Sequence, residues 1–240
     1  PWRDEAHDPK RVADGALQSM PFAILVAEPP AAGAGLKDLA WLARRYAFSS
    51  LPSEASLKAM RRFAGQRQAP APFVGFGAPA FKGGAGSTRN LAALYTPRGL
   101  ADVEQLSELA PLPDSAKEIS TIAAALGAGK GSIYLGESAT EAQVKKLDLS
   151  RYRTLAFATH GFTAGEMRGV IEPALALTPP KAPSEDDDGL LTASEIARLR
   201  LNSDWVILSA CNTAAPDGTL AAEGLSGLAR AFIFAGSRSL

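Results

Sequence analysis

The chain has 240 residues, in which 25 lysines and arginines balance 25 aspartates and glutamates, so its formal net charge is zero. This balance argues against a sequence-independent hold on nucleic acid or on an acidic membrane, since both need a basic excess. One cysteine and two histidines rule out an internal disulfide and argue against a structural zinc site. We therefore expect no cofactor, no metal, no direct nucleic-acid or membrane partner, and a cytoplasmic location.

Five short apolar runs are predicted to be strands, and they alternate with helical patterns. The runs are Phe22–Val26, Phe73–Phe76, Ser132–Leu135, Leu155–Thr159 and Trp205–Ala210. The last two are continuous apolar segments, as expected for central strands covered on both faces. Such alternation predicts an α/β fold with a largely parallel sheet.

Five helices are predicted, three of them from capping-box pairs in which a hydroxyl residue precedes Glu or Gln by three positions. Those three run from Ser115 (with Glu118) to Leu126, from Thr140 (with Gln143) to Leu147, and from Thr192 (with Glu195) through Arg200. The other two are Glu54–Ala64, with Lys58, Arg61 and Arg62 outside, and about Glu223–Ala235, with Leu225, Leu228, Ala229 and Phe232 on one face. Gly127 and Gly236 are the expected stops.

Two stretches are predicted to be surface loops: Gly83–Asn90, which is rich in Gly and Ser, and Thr178–Gly189, in which nothing can build a core. The second contains the acidic run Glu185–Asp188. Such a run could bind a cation, but bunched carboxylates between prolines are more typical of a solvated surface. Leu126–Ser132 lacks the first glycine and the hydroxyl of a phosphate-binding loop, which favours a helix C-cap and turn.

The ends of the chain differ from its middle. Residues 1–14 are polar and charged, and we expect a linker or frayed start there, followed by one domain over residues 15–240. The chain begins at Pro1 and stops at Leu240, just after the expected helix end at Gly236. We therefore expect a piece of a longer protein whose domain is truncated at its C-terminal end.

The two scarcest residue types mark the candidate site. His160 directly follows the apolar run Leu155–Thr159, and Cys211 directly follows Trp205–Ala210, 51 residues later. The carboxyl ends of parallel strands meet at one edge of a sheet, where ligands bind. If the two strands are neighbours, His160 and Cys211 lie on one rim.

A cysteine beside a histidine has a specific chemistry. A thiol becomes a strong nucleophile when it ionises, and an imidazole can take its proton. The backbone N–H groups of Gly161 and Cys211 are candidates for holding the oxyanion of an acyl-transfer reaction. The alternatives are a cysteine packed as a small apolar side chain and a histidine with a structural role. His7 lies in the charged start and is no rival base.

Four blocks of the sequence resemble the CHAT domain, a caspase-like family. They are residues 15–22 (GALQSMPF), Leu51–Ser53 followed by Gly75–Pro79, the histidine block Ala158–Gly161, and the cysteine block Leu208–Thr213 with residues 223–236 after it. The resemblance implies a caspase-like three-layer sandwich with a mostly parallel central sheet and helices on both faces.

The resemblance also implies a function. It implies that the chain is a cysteine endopeptidase domain of a larger bacterial protein. In this domain Cys211 would be the nucleophile and His160 the general base, and Gly161 and Cys211 would form the oxyanion hole. The partners would be a protein or peptide substrate, together with regulatory tetratricopeptide repeats or a partner protein outside this chain. One alternative is a CHAT scaffold that is silent or activated by a partner. Another is a small-molecule-binding α/β domain.

Overall fold

The computed structural model describes residues 24–31, 33, 35–46, 58, 61, 68–84, 100–164, 170–211 and 221–240, with Cys211 and residues 221–226 described by their backbone. The chain divides into two compact units, Pro1–Ser50 and Leu51–Leu240. In the described ranges, no helix is both long and apolar enough to span a membrane.

The described part of the first unit contains short turns. Its 3-10 helices are Leu36–Asp38 and Leu42–Arg44, and an isolated antiparallel bridge joins Val26 to Trp41. The strand predicted at Phe22–Val26 is wrong over its described residues 24–26, which form only that bridge. The helical turn that follows Trp41 at once limits the pairing, and the side chains of Ile24 to Val26 stay exposed.

The second unit is built on a six-stranded sheet. Its strands are β1 (Ala71–Pro79), β2 (Ile133–Gly136), β3 (Tyr152–Phe162), β4 (Ala174–Ala176), β5 (Leu190–Thr192) and β6 (Trp205–Cys211). The order is β2-β1-β3-β4-β5, and β6 also pairs with β3. Strands β2, β1, β3 and β6 are parallel, whereas β4 and β5 add an antiparallel extension beyond the carboxyl half of β3.

Helices cover both faces of this sheet. They are α1 (Val103–Ser107), α2 (Pro113–Ala125), α3 (Glu141–Lys146), α4 (Ala193–Ile196) and α5 (Ala221–Ala235). Residues of α2 form one core cluster with one face, while α3, α4 and α5 contribute to the larger cluster on the other. The architecture is a three-layer α/β sandwich with a mostly parallel sheet, which confirms the predicted fold class.

Small residues in β1 let α2 approach the sheet closely. A Cβ atom placed on Gly75 would lie 2.7 Å from the Ile119 side chain, and one on Gly77 would lie 2.8 Å from it. The opposite face carries an aromatic row, in which the Phe76 ring stacks on Phe157 at 5.3 Å. From Val74 to Gly77, β1 therefore alternates glycines on the face toward α2 with bulky side chains on the other face.

Several predicted elements are confirmed. Strands β1, β2, β3 and β6 contain or overlap four of the predicted runs, and α3 and α5 occupy the predicted segments. Lys58 and Arg61 are helical and exposed, whereas the rest of Glu54–Ala64 lies outside the described residues. Thr178–Gly189 is a loop, and Leu126–Ser132 is the predicted C-cap and turn, with Gly127 in the left-handed region at φ 68°.

The start of α2 differs from its prediction. Pro113 begins the helix two residues before Ser115, because its fixed φ suits the first helical position. Ser115 is then inside the helix, where its hydroxyl donates to the Leu112 carbonyl (2.7 Å) and accepts from the Ala78 N–H (2.8 Å). The predicted capping box of Ser115 and Glu118 is therefore wrong.

The other two predicted capping residues, Thr140 and Thr192, both cap their helices. Thr140 caps α3 by accepting the Gln143 N–H at 3.1 Å. At α4 the capping box of Thr192 and Glu195 is complete, but the helix ends at Ile196 instead of Arg200. The chain leaves the helix early and reaches α5, where the Leu201 N–H donates to the Ala235 carbonyl.

Strand β6 is less covered than a central strand. Trp205 is 57% exposed and Ser209 is also exposed. Among the described residues, β6 pairs with β3 on one side. The Val206 N–H also donates a hydrogen bond to the Ser239 carbonyl (2.9 Å). The prediction of burial on both faces holds for β3 and is wrong for β6.

Candidate functional site

The parallel register of β3 and β6 brings the two scarce residues together. The Cα of His160 pairs with the Cα of Cys211, the last residue of β6. These strands are direct neighbours, as the rim hypothesis required. His160 therefore stands beside Cys211 at the carboxyl edge of the parallel sheet.

The His160 ring is held between a carbonyl group and an aromatic ring. Its Nε2 atom lies 2.7 Å from the Ala110 carbonyl oxygen, and its ring centre lies 5.6 Å from that of Phe81. A carbonyl oxygen can only accept, so Nε2 carries a hydrogen and donates it. In the neutral imidazole, Nδ1 is then the nitrogen with a free lone pair.

Both groups that hold the ring are tied to each other through the backbone. The Lys82 N–H donates to the Ser107 carbonyl (2.7 Å), and the Gly83 N–H donates to the Leu109 carbonyl (3.1 Å). Phe81 is 6% exposed and belongs to a small core cluster at this edge. The segment after β1 and the segment after α1 thus form one support for the imidazole.

The end of β1 is strained where it turns toward this support. Ala78 has φ 46°, in the left-handed region, and the pairing of β1 with β2 shifts register between Gly77 and Pro79. Such a conformation costs about 1–3 kcal/mol and persists when the surroundings hold it. Here the Ser115 hydroxyl accepts the Ala78 N–H, and the Thr178 hydroxyl accepts the Ala80 N–H at 3.0 Å.

Gly161 lies next to His160 with little room around it. A Cβ atom on Gly161 would lie 3.2 Å from the Cβ of Ala210, and its Cα pairs with Leu175 of β4. The neighbouring Thr159 hydroxyl donates to the Ala176 carbonyl. The antiparallel extension therefore anchors the end of β3, while the role of Gly161 in an oxyanion hole stays a prediction.

A carboxylate from α2 contacts β6 at Ser209, two positions before the cysteine. Glu118 of α2 is half-buried, and its Oε2 accepts a hydrogen bond from the Ser209 hydroxyl at 3.0 Å. The sequence pattern predicts Glu118 as part of a helix cap and carries no signal for this contact with β6. Phe81 and Ala110 were also missed, the second because it acts through a backbone carbonyl that every residue has.

The acidic run is more structured than predicted. Glu185 and Asp186 are exposed, but Asp188 is half-buried and accepts N–H groups from Ala101 (2.7 Å) and Leu190 (3.0 Å). Asp187 is also half-buried. The prediction of a solvated surface is therefore wrong for Asp187 and Asp188, because they dock the loop onto the domain.

Glu141 organises the other side of that loop. It is 1% exposed, and its Oε2 accepts the N–H groups of Asp188 (2.9 Å) and Gly189 (2.8 Å). Its Oε1 lies 2.6 Å from the Lys145 ammonium, which also pairs with Glu195 at 2.8 Å. Burial raises the pKa of Glu141 to about 7, and Lys145 only partly offsets that effect. In the described ranges no cluster of three His, Cys, Asp or Glu side chains could hold a metal ion.

A comparison with protein-family models matched the CHAT domain over residues 11–240. The chain belongs to the CHAT domain family. This family is related to the caspase-like cysteine peptidases. A search of curated proteins and a search of solved structures each found no match. The matched range of this CHAT domain includes both His160 and Cys211.

Proposed function

We propose that this CHAT domain is a cysteine endopeptidase in which Cys211 is the nucleophile and His160 the general base. The observation that carries the proposal is the register of β3 and β6, which pairs the two Cα atoms. Neighbouring strands are about 4.8 Å apart, so residues in register on adjacent parallel strands are separated by about one strand spacing. The supports around the imidazole are what a positioned base requires.

The ring contacts support Nδ1 as the proton-transfer atom. Because Nε2 donates to the Ala110 carbonyl, Nδ1 is the atom that takes the thiol proton. The sulfur then attacks the peptide carbonyl carbon, forming a thioester as the carbon–nitrogen bond breaks. The imidazolium returns the proton to the leaving amine, and water hydrolyses the thioester to the acid and the free thiol.

The reaction also requires donors for the oxyanion, and the backbone near both residues is proposed to supply them. The N–H groups of Gly161 and Cys211 are proposed to hold the oxyanion, because both belong to residues at this edge. The substrate is a protein or peptide, since the chemistry is acyl transfer from an amide. We further propose that the protein is bacterial and cytoplasmic, and that regulatory repeats or a partner protein lie outside this chain. A reducing compartment keeps the single thiol free.

The direct test is peptide cleavage by variants of the two residues. Cys211→Ala and His160→Ala should each lose several orders of magnitude in kcat/KM, because nucleophile and base act as one unit. His7→Ala is the matched control and should cleave at the wild-type rate. Equal cleavage by all four proteins, measured on a peptide library by mass spectrometry, would end the proposal.

The second candidate is a CHAT scaffold that is silent until a partner remodels it. The observation that favours it is the burial of His160, which is 7% exposed. Iodoacetamide labelling distinguishes the two, since the chain has one cysteine. An activated Cys211 is alkylated faster near neutral pH than a free thiol, and His160→Ala slows it. Slow labelling that does not depend on His160 favours the scaffold.

A further inference from the structure

We propose that Glu118 selects a lysine or arginine side chain at P1, the substrate residue whose carbonyl is attacked. The inference rests on the proposed function and adds its substrate class. Its starting observation is the hydrogen bond from the Ser209 hydroxyl to the Glu118 carboxylate, 3.0 Å long. This contact lies on β6, the strand that ends at Cys211.

The position of Glu118 suits the length of a basic side chain. Alternate residues of a strand share one face, and a strand rises about 3.3 Å per residue, so Ser209 lies about 6.6 Å before Cys211. An extended lysine or arginine places its charge about that far from its own Cα. A P1 side chain that runs back along β6 from Cys211 therefore brings its cation to Glu118.

The charge of Glu118 has no cation among the described ion pairs. Those pairs join Arg45 to Glu28, Lys145 to Glu141 and Glu195, and Arg238 to Asp204. Glu118 accepts a neutral hydroxyl instead. A half-buried carboxylate with oxygen lone pairs to spare binds an ammonium or guanidinium group more strongly than a neutral one.

The test is a peptide series that differs only at P1, with lysine, arginine, glutamine, methionine and aspartate. We expect the wild type to favour lysine and arginine. Glu118→Gln keeps an oxygen that can accept from Ser209 but removes the charge. It should lower kcat/KM for the basic peptides about 10- to 100-fold and so reduce their advantage over the glutamine and methionine peptides.

Ser209→Ala is the matched control. It removes the hydroxyl but keeps the carboxylate, so the preference for basic P1 should remain. Thermal melting curves check that both variants fold. Peptidyl chloromethyl ketones with P1 arginine or aspartate give a second readout, since mass spectrometry shows directly how fast each alkylates Cys211.

The outcomes separate the two proposals. Cleavage that depends on Cys211 and His160 but favours neutral or acidic P1, or that Glu118→Gln leaves unchanged, overturns the role of Glu118 while the peptidase stands. Absence of cleavage together with His160-independent labelling overturns the proposed function and this inference with it. A preference for basic P1 that is lost in Glu118→Gln and kept in Ser209→Ala supports both.

Discussion

At the scale of single residues, the site depends on groups that hold His160 as well as on His160 itself. The Ala110 carbonyl and the Phe81 ring contact the imidazole from two directions. A side-chain substitution cannot remove a carbonyl, so Phe81 is the part of the support that can be tested. Under the proposed mechanism, Phe81 acts through its contact with His160 and is a positioning residue.

Phe81→Leu should lower kcat/KM for peptide cleavage about 3- to 10-fold, because an aromatic contact is worth about 0.5–1.5 kcal/mol. A looser imidazole should also change the pH profile of Cys211 alkylation, which a purely structural role would not do. Phe162→Leu is the control, since Phe162 belongs to the same core cluster. If both variants change the pH profile equally, Phe81 has no special role.

The sequence could predict part of this site. Strands β3 and β6 are continuous apolar runs, so their ends located His160 and Cys211. The supporting residues had no such signal: Ala110 acts through its backbone, and Phe81 follows a strand end as an ordinary apolar residue. The pattern predicts Glu118 as part of a helix cap instead, because it does not show that Pro113 begins the helix.

At the scale of elements, the close packing of α2 on β1 sets the geometry of this edge. Helix α2 carries Ser115, which holds Ala78, and Glu118, which contacts β6. Helix α2 lies close to the sheet because Gly75 and Gly77 have no Cβ atom. Helix α2 can therefore contact both Ala78 and β6 only while positions 75 and 77 of β1 carry no side chain.

Gly75→Ala should destabilise the domain by about 1–3 kcal/mol, as expected for overpacking a filled core. The new Cβ would lie 2.6 Å from the Phe73 ring and 2.7 Å from Ile119. Gly129→Ala is the control, because nothing lies within 4 Å of the Cβ position there. Urea denaturation measures both, and equal midpoints would contradict the packing argument.

The sequence predicted the long elements better than the short ones. Strands β4 and β5 have three residues each, too few to show the alternation that marks a strand. They form because the end of β3 offers them a partner, which is a tertiary effect. The early end of α4 at Ile196 has a similar origin, since the following chain bonds to α5.

At the scale of the whole molecule, the buried Glu141 links stability to pH. Its carboxylate faces Lys145 on its own helix, Glu195 on α4 and Asp187 in the loop, and it accepts the Asp188 N–H. Burial also raises the pKa values of Asp187 and Asp188. Each of these acids is more easily protonated in the folded domain than in the unfolded chain, so raising the pH costs stability.

The pKa of Glu141 is about 7 in the folded domain against an ordinary value of 4.5. The contribution of this raised pKa to the free energy of unfolding is therefore complete below pH 4.5 and is lost as the pH rises through 7. The free energy of unfolding should fall between pH 5 and 7 by up to about 1.4 kcal/mol per pH unit. Glu195, whose pKa is lowered, acts oppositely and only at lower pH.

Glu141→Gln should flatten that fall, which melting temperatures at pH 5, 6, 7 and 8 would show. The exposed Glu137→Gln serves as the control and should follow the wild-type curve. Parallel curves for all three proteins would mean that Glu141 does not govern the pH dependence of the fold.

The pairing of His160 with Cys211 has a consequence for the timing of synthesis. The two residues are 51 positions apart in the sequence, and β6 follows every other strand that the structure describes. At about 5–20 residues per second, a ribosome needs roughly 3–10 s to travel from one to the other. Under the proposed mechanism, a nascent chain has its base but not its nucleophile through that interval. It therefore cannot cleave a peptide bond until Cys211 has been synthesised.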